Sequence, residues 1–320
     1  MGNELNKADA GEYVRRCATL AALLEVSASP KPGNVHRTRD RPNTRYEHFL
    51  AGAVALGEAM GKLAVRGYEA EDGERKWNEI GLGGLILEAV TDSLAWQGGG
   101  NVNLGVVLLF APIAVAAGST LRRHEEIDVE DLRGKLELVT RSTTPEDAAL
   151  VYEAIRAAMT PRVLGEVDEL DVYDPESTSE LVEKGLTLLD VFGLCSERDH
   201  ICREWTSGFN VTFEEGYPYL KAALESGDVN TAVVDTFLNI LSRNPDSLIA
   251  RKSGEDLAEE VSGRAERILE EGGCGSEAGS EMLQSLDDEL AEAGGALNPG
   301  TTADLTASSL FIALLEGWRP

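Results

Sequence analysis

The sequence predicts an all-α protein, folded as a single large globular domain over residues 1–320 with about ten to twelve helices. Apolar residues recur at helical spacing along most of the chain, and the strict alternation typical of strands is almost absent. No segment of 20–50 residues repeats, which argues against a solenoid. Apolar residues make up 42% of the chain, and a chain of this length buries roughly 75% of its unfolded surface, so we expect a large core.

The first predicted helices are separated by breaks rich in glycine and proline. Residues 10–28 place apolar side chains on one face, and residues 45–65 repeat the pattern. Residues 77–96 are apolar around most of the circumference, which predicts a buried helix. A glycine run at 98–100 ends that helix, and the next covers about 103–118. Its apolar stretch, residues 104–117, is too short to span a bilayer and contains Pro112, so we expect no membrane segment.

The later helices have clearer start signals. Thr144-Pro145-Glu146-Asp147 combines a capping residue, a first-turn proline and acids that face the helix dipole. Residues 160–176 lack helical periodicity and predict a surface loop. Residues 255–292 hold 13 acids and two arginines, which predicts solvated acidic helices at the periphery. The remaining predicted helices cover about 128–139, 145–159, 177–194, 197–206, 213–226, 229–243, 254–271, 277–293 and 301–316.

The composition limits the partners. The chain has 56 acidic residues against 29 Lys and Arg, a formal charge of −27. Nucleic acid and anionic membranes are poor partners for such a protein, because binding them depends on basic residues. An acidic surface of this kind keeps a protein soluble in a salt-rich cytosol, and it also occurs on ordinary acidic enzymes. The composition favours neither interpretation. An apolar helix face is compatible with a homodimer.

The cysteines and the amino terminus predict a reduced, cytoplasmic protein. Residues 1–10 contain no signal-peptide core. The four cysteines show no metal or redox spacing. Cys195 and Cys202 lie seven apart, and we expect both to be buried small apolar residues.

A basic stretch follows the first helix. Ser29-Pro30-Lys31-Pro32-Gly33 holds the backbone extended around one lysine, which suits contact with an anion. Residues 31–45 carry a local charge of +4, from one acid, Asp40, and five basic residues: Lys31, Arg37, Arg39, Arg41 and Arg45. The alternative is a loop whose arginines pair with surface acids.

Two further breaks open apolar helices. In Gly100-Asn101-Val102-Asn103-Leu104-Gly105 the glycines allow close approach of a ligand, and the free N–H groups at the helix start favour phosphate. Asn298-Pro299-Gly300-Thr301-Thr302-Ala303-Asp304 places a carboxylate in the first turn of the last helix. Helix capping is the alternative role of Asp304.

Together, in this order, these three segments resemble the triphosphoribosyl-dephospho-CoA synthase family. Supporting pieces are Arg203-Glu204 with Ser207-Gly208-Phe209, and Asp246 with Arg251-Lys252-Ser253-Gly254. The resemblance covers about residues 25–316. It implies an all-helical enzyme in which ATP gives its 5-triphosphoribosyl group to a ribose hydroxyl of 3′-dephospho-CoA, and adenine leaves.

The chemistry of that reaction selects candidate residues. Breaking an N-glycosidic bond passes through an oxocarbenium-like state, which a carboxylate stabilises, and proton transfer needs an acid or base. We expect catalytic roles for Asp304, Glu204 and His36, the last as a base. The carboxylate of Glu25 is a further candidate. For the nucleotide and its triphosphate, the candidates are Lys31, Gly33, Arg37, Gly100, Asn101, Asn103, Gly105, Arg251, Lys252, Asn298, Gly300 and Thr301.

A magnesium ion would neutralise the triphosphate. Glu88 and Asp92 lie at i and i+4 on an apolar helix, where like charges cost stability unless a cation sits between them. We expect them to hold Mg²⁺; an arginine from another helix is the alternative partner.

Three further functions stay open at this point. The second segment lacks the threonine and the basic residue expected in the family, so the acceptor could be another coenzyme or a pterin-like molecule. A metal-dependent nucleotide phosphohydrolase is the alternative enzyme class. A non-catalytic nucleotide sensor would keep the three segments without the carboxylates.

Overall fold

Helices account for the architecture, as the sequence predicts. The computed structural model describes residues 5–160 and 170–320, and within them the chain forms fifteen α-helices and no β-strand. The helices are α1 (Lys7–Ser27), α2 (Tyr46–Glu71), α3 (Leu82–Ala95), α4 (Leu104–Arg123), α5 (Val129–Arg141), α6 (Pro145–Ala158), α7 (Ser177–Lys184), α8 (Leu188–Cys195), α9 (His200–Ser207), α10 (Tyr217–Ser226), α11 (Val229–Arg243), α12 (Ser247–Ser253), α13 (Glu255–Glu270), α14 (Glu277–Glu292) and α15 (Gly300–Leu315).

The number of helices exceeds the predicted ten to twelve for local reasons. The predicted helix 177–194 divides at Gly185, which ends α7 with φ 69°. The short helix α12 was not predicted; the Asp246 carboxylate caps it by accepting from the Leu248 and Ile249 N–H groups. Residues 161–169 of the predicted loop lie outside the described residues, and residues 170–176 are non-helical.

The apolar helix α4 forms the centre of the core. It packs against α1, α2, α5 and α15, and nearly all of its residues are buried. The helix has 20 residues, because residues 118–123 extend it beyond the predicted apolar stretch 104–117. By length and composition α2 and α4 could each cross a membrane. In α4, 94% of the most apolar window is buried, so the protein core accounts for its hydropathy.

The acidic helices α13 and α14 differ from the prediction on their inner faces. Their carboxylates point mostly outward, but residues such as Val261 and Leu286 are buried in the core. One acid, Asp287, is fully buried. These helices are therefore part of the core as well as of the acidic surface.

The two cysteines at the junction of α8 and α9 form a disulfide. Cys195 and Cys202 are bonded, with Cα atoms 5.9 Å apart. The expectation of two separate, reduced apolar residues was therefore wrong. The bond closes a short loop that contains Arg198 and Asp199.

Candidate active site

A cavity of about 560 Å³ lies where the three sequence segments meet. Its volume is in the range of small-molecule sites. The predicted residues that line it are Gly100, Asn101, Asn103, Gly105, Arg251, Lys252, Asn298, Gly300, Thr301 and Asp304. The structure thus brings together these ten predicted residues and the further candidate Glu25, from four distant parts of the chain.

The second and third segments touch directly at Gly105 and Asp304. A Cβ atom built on Gly105 would lie 2.0 Å from Asp304 Oδ2, so no larger residue fits there without moving the carboxylate. Gly105 lies in the first turn of α4, where the N–H groups and the helix dipole favour negative charge. The glycine is therefore explained by close approach of this carboxylate.

The first segment reaches the cavity through Asn34 and Arg41. The Asn34 side chain donates to the Pro299 carbonyl at 3.3 Å, which joins the first segment to the third. Both residues line the cavity. Arg41 lies between two tight turns, marked by the pairings His36–Arg39 and Arg41–Thr44.

Three side chains of the cavity carry buried polar atoms without a partner. Arg41 Nε, Arg251 Nε and Asn298 Oδ1 have no hydrogen-bond partner among the described residues. Buried polar atoms are nearly always paired in folded proteins, so an unpaired one points to a missing ligand or water. Two guanidinium donors suit an anion, and an amide oxygen suits a hydroxyl group.

Further contacts fix the cationic groups. Arg251 Nη1 donates to Asp199 Oδ2 at 2.5 Å, and Lys252 Nζ donates to the Gly295 carbonyl at 3.2 Å. Burial lowers the pKa of Arg41 and of Lys252. An anion in the cavity would offset that burial cost, because it favours the charged forms.

A buried carboxylate anchors the third segment. Asp246 Oδ2 accepts from both the backbone N–H and the hydroxyl of Thr302, each at 2.7 Å. Asp246 also caps α12, which carries Arg251 and Lys252. One side chain therefore sets the relative positions of α12 and the first turn of α15.

Asp304 lies in an unusual electrostatic setting. Burial raises its pKa well above the ordinary value, and the carboxylates of Glu25, Asp246 and Asp199 raise it further. The Val106 N–H opposes this by favouring the ionised form. Since no side-chain ion pair to Asp304 occurs in the described part of the chain, a positive charge placed beside it would be strongly stabilised.

The comparisons with known proteins agree on one family. The family model for ATP:dephospho-CoA triphosphoribosyl transferase matches residues 11–320. The chain belongs to this family. It is therefore a transferase by family, as the sequence resemblance implies.

Individual relatives of the family cover most of both chains. The chain is 24% identical over 305 residues to 2-(5″-triphosphoribosyl)-3′-dephosphocoenzyme-A synthase of Klebsiella pneumoniae, covering 94% of this chain and 90% of that protein. It is 25% identical to the synthase of Escherichia fergusonii, covering 92% and 88%. A crystal structure described as a triphosphoribosyl-dephospho-CoA synthase from Archaeoglobus fulgidus superposes with a TM-score of 0.62 at 28% identity. That match covers 84% of this chain and all of the other.

In this family member, several predicted residues lie outside the cavity. Lys31 is fully buried, and its ammonium binds the Glu25 carboxylate, which itself lines the cavity. Arg37 is exposed and does not line the cavity. Lys31 therefore acts on the cavity through Glu25 rather than by direct contact.

His36 and Gly33 are held by Asp287 of α14. His36 Nε2 lies 3.1 Å from Asp287 Oδ2, and the Gly33 N–H donates to Oδ1 at 3.1 Å. Arg39 Nε lies 2.9 Å from the same carboxylate. His36 is only 1% exposed and lines no part of the cavity, so its position favours a structural role over that of a base.

Glu204 is also a structural residue by its contacts. It is fully buried and accepts from the Val211 N–H, the Thr212 N–H and the Thr212 hydroxyl, at 2.9, 2.9 and 2.6 Å. Burial raises its pKa to about 7. Its oxygens organise the π-helical turn Val211–Gly216 rather than face the cavity.

The proposed metal ligands lie apart from the cavity. Glu88 Oε1 pairs with Lys62 Nζ at 2.7 Å. A cation from another helix therefore neutralises Glu88, as the alternative interpretation expects, but this cation is a lysine and not an arginine. Asp92 lies one turn further along α3. Among the described residues no group of three or more His, Cys, Asp or Glu side chains is arranged to hold a metal ion.

The two asparagines of the second segment organise the start of α4. Asn101 Oδ1 accepts from the Leu104 N–H at 3.1 Å. Asn103 is buried; its amide donates to the Val102 carbonyl at 2.9 Å and accepts from the Ala53 N–H at 3.2 Å. Asn101 remains exposed at the cavity, whereas Asn103 is already satisfied by backbone groups.

Sequence reasoning missed three contributors. Arg41 stood among five basic residues without a signal that set it apart, and Asn34 lay just beyond the selected residues of the first segment. Asp199 was overlooked because it reads as the cap of α9, a role that it also fills by accepting from the Ile201 and Cys202 N–H groups.

Proposed function

We propose that this cavity is the active site at which ATP donates its triphosphoribosyl group to 3′-dephospho-CoA, with release of adenine. The observation that carries the proposal is the set of unpaired buried atoms of Arg41, Arg251 and Asn298 around one cavity that also contains Asp304. Two cationic donors, one hydroxyl acceptor and one carboxylate are the groups that a triphosphoribosyl donor requires.

The cationic side chains bind the triphosphate in this proposal. Arg41, Arg251 and Lys252 come from two separate segments, so they can contact different phosphate groups. Hydrogen bonds to charged groups contribute about 1.5–3 kcal/mol each. The positive ends of the helix dipoles of α4 and α15 also face the cavity and favour negative charge there. The contribution of Lys31 to triphosphate binding is indirect in this proposal, because its ammonium neutralises the Glu25 carboxylate that lines the cavity.

Asp304 acts at the reacting carbon. The bond between C1′ and adenine breaks, adenine leaves with the bonding electrons and takes up a proton from solvent, and positive charge develops on the ribose. The carboxylate stabilises that charge and accepts the proton of the attacking ribose hydroxyl as the new C1′–O bond forms. The raised pKa makes Asp304 a stronger base once it is ionised, and the positive charge that develops on the ribose favours the ionised form.

Magnesium enters this proposal only as a counter-ion of ATP. The carboxylates Glu25 and Asp199 are already engaged by Lys31 and Arg251, and Glu88 is paired with Lys62. These residues do not fit a dedicated metal site, so no step depends on one. A role for the ion would be seen as loss of ATP binding on chelation.

One assay tests the proposal. The protein is incubated with ATP, Mg²⁺ and dephospho-CoA, and the products are separated to look for adenine and for an acceptor heavier by one triphosphoribosyl unit. Asp304→Asn should abolish adenine release, while Asp92→Asn, outside the cavity, should leave it unchanged. Adenine release with a different acceptor would correct the acceptor, and release of phosphate alone would replace the transferase by a hydrolase.

The cellular setting follows from the substrates. ATP and dephospho-CoA are small cytoplasmic molecules, and we place the protein in the cytoplasm. A homodimer stays a prediction, which sedimentation of the purified chain tests.

A further inference from the structure

The lining of the cavity is divided between two chemically different walls. The polar wall consists of Arg41, Arg251, Lys252 and Asn298. A second wall, which we call the apolar wall, consists of Ile155 on α6 and of Val191, Phe192 and Leu194 on α8. None of the four side chains of the apolar wall has a polar atom, so this wall offers no side-chain partner to a phosphate or a hydroxyl group.

The apolar wall continues to the surface. Ile155, Val191 and Phe192 are at most 8% exposed, whereas Leu194 is 61% exposed. An exposed leucine at the edge of a cavity gains free energy when a ligand covers it. The wall is therefore suited to an elongated, uncharged ligand that begins inside the cavity and ends at its mouth.

We infer that the apolar wall binds the pantetheine arm of the acceptor. This inference rests on the proposed function, in which the acceptor is dephospho-CoA. Adenine fits the wall poorly because its ring nitrogens need hydrogen-bond partners, and the triphosphate fits it poorly because of its charge. The arm is long and uncharged, and its methylene and gem-dimethyl groups match the wall while its two amides and its hydroxyl can turn to the polar atoms of the remaining lining. The acceptor's diphosphate then lies towards the polar wall.

The rigid placement of α8 supports a specificity role. The disulfide between Cys195 and Cys202 ties the end of α8 to α9, and α8 also packs against α6. Packed helices hold the side chains of a binding wall more precisely than a loop does, so such a wall distinguishes better between ligands. The wall therefore distinguishes an acceptor that carries the arm from a nucleotide that lacks it.

The variant Leu194→Ser tests the inference with little risk to folding, because the side chain is already exposed. Leu257→Ser is the matched control, since Leu257 is 39% exposed on α13 and does not line the cavity. Leu194→Ser should raise KM for dephospho-CoA about tenfold and leave KM for ATP unchanged. Leu257→Ser should leave both constants unchanged. Val191→Thr, which keeps the shape and adds a hydroxyl group, should act in the same direction.

A binding measurement separates this inference from the proposed function. Pantetheine alone, observed by saturation-transfer NMR, should bind the wild-type protein, be displaced by dephospho-CoA, and not be displaced by ATP. Leu194→Ser should weaken that binding. Displacement of pantetheine by ATP, or equal binding to the wild type and both wall variants, would overturn the assignment of the arm. If no adenine is released but pantetheine behaves as expected, the transfer reaction is wrong and the arm site stands.

Discussion

The contact between Gly105 and Asp304 offers the sharpest test of the site. In Gly105→Ala, the new Cβ would lie 2.0 Å from Asp304 Oδ2, 2.5 Å from its Cγ and 3.1 Å from Oδ1. Ordinary contact begins near 3.4 Å, so the nearer oxygen must move by about 1.4 Å. A displacement of about 1 Å at a reacting centre can cost about 100-fold in rate. We therefore expect kcat for adenine release to fall at least about 100-fold.

Stability should change much less than activity. Forcing an extra methyl group into a packed site costs about 1–3 kcal/mol. Replacing glycine by alanine within a helix stabilises the folded state by up to about 1 kcal/mol. The free energy of unfolding should therefore fall by about 0–3 kcal/mol, which leaves the variant folded in a circular dichroism melt.

The control for this variant is Gly134→Ala. Gly134 lies exposed on α5, and a Cβ there would meet no atom within 4 Å. That variant should keep its activity and gain up to about 1 kcal/mol in stability.

A double-mutant cycle with Asp304→Ala isolates the clash. Without the carboxylate, Gly105→Ala should cost less stability than it does in the wild type. A rate within twofold of the wild type for Gly105→Ala, or an equal stability cost in both backgrounds, would refute the argument.

The remaining predictions concern charge and covalent bonding. Because burial raises the pKa of Asp304, the folded protein holds a proton that the unfolded chain releases above about pH 4, so this carboxyl contributes less to stability as pH rises. Asp304→Asn should accordingly lose activity yet gain in melting temperature over the wild type, with a gap that widens as the pH rises above about 4; a constant gap would contradict the raised pKa. Arg41→Met should raise KM for ATP about tenfold to 100-fold, whereas Arg37→Met should not; equal effects would remove Arg41 from the triphosphate site. Replacing both Cys195 and Cys202 by serine should cost about 2–3 kcal/mol, as expected for a loop of this length, and the melting temperature should then no longer respond to dithiothreitol.

The sequence predicted the fold class, because helical periodicity and helix-start signals are local, whereas only the family resemblance linked the three segments to one another. It could not rank the five basic residues of the stretch 31–45. Two tight turns decide that Arg41 faces the cavity while Arg37 points to solvent, and such turns depend on contacts with the rest of the protein.

The predictions for the carboxylates Glu88, Asp92 and Glu204 differ from the structure for a similar reason. Glu88 and Asp92 share one helix face, but only the packing of α2 against α3 reveals that Lys62 lies beside Glu88. Glu204 reads as a catalytic acid until the fold brings the N–H groups of Val211 and Thr212 to it. In both cases the deciding partner belongs to another element.

The same dependence on distant partners has a consequence for Asp287. This carboxylate lies in the most acidic part of the chain, yet it faces inward and holds His36, which is 251 positions away in the sequence. The other acids of α13 and α14 are exposed to solvent, where dissolved salt screens their charges. The buried carboxylate is shielded from that screening. The outer acids can therefore be exchanged to adapt the protein to fresh or salty surroundings, while the loop that carries Arg41 stays anchored by an interaction that salt screens much less.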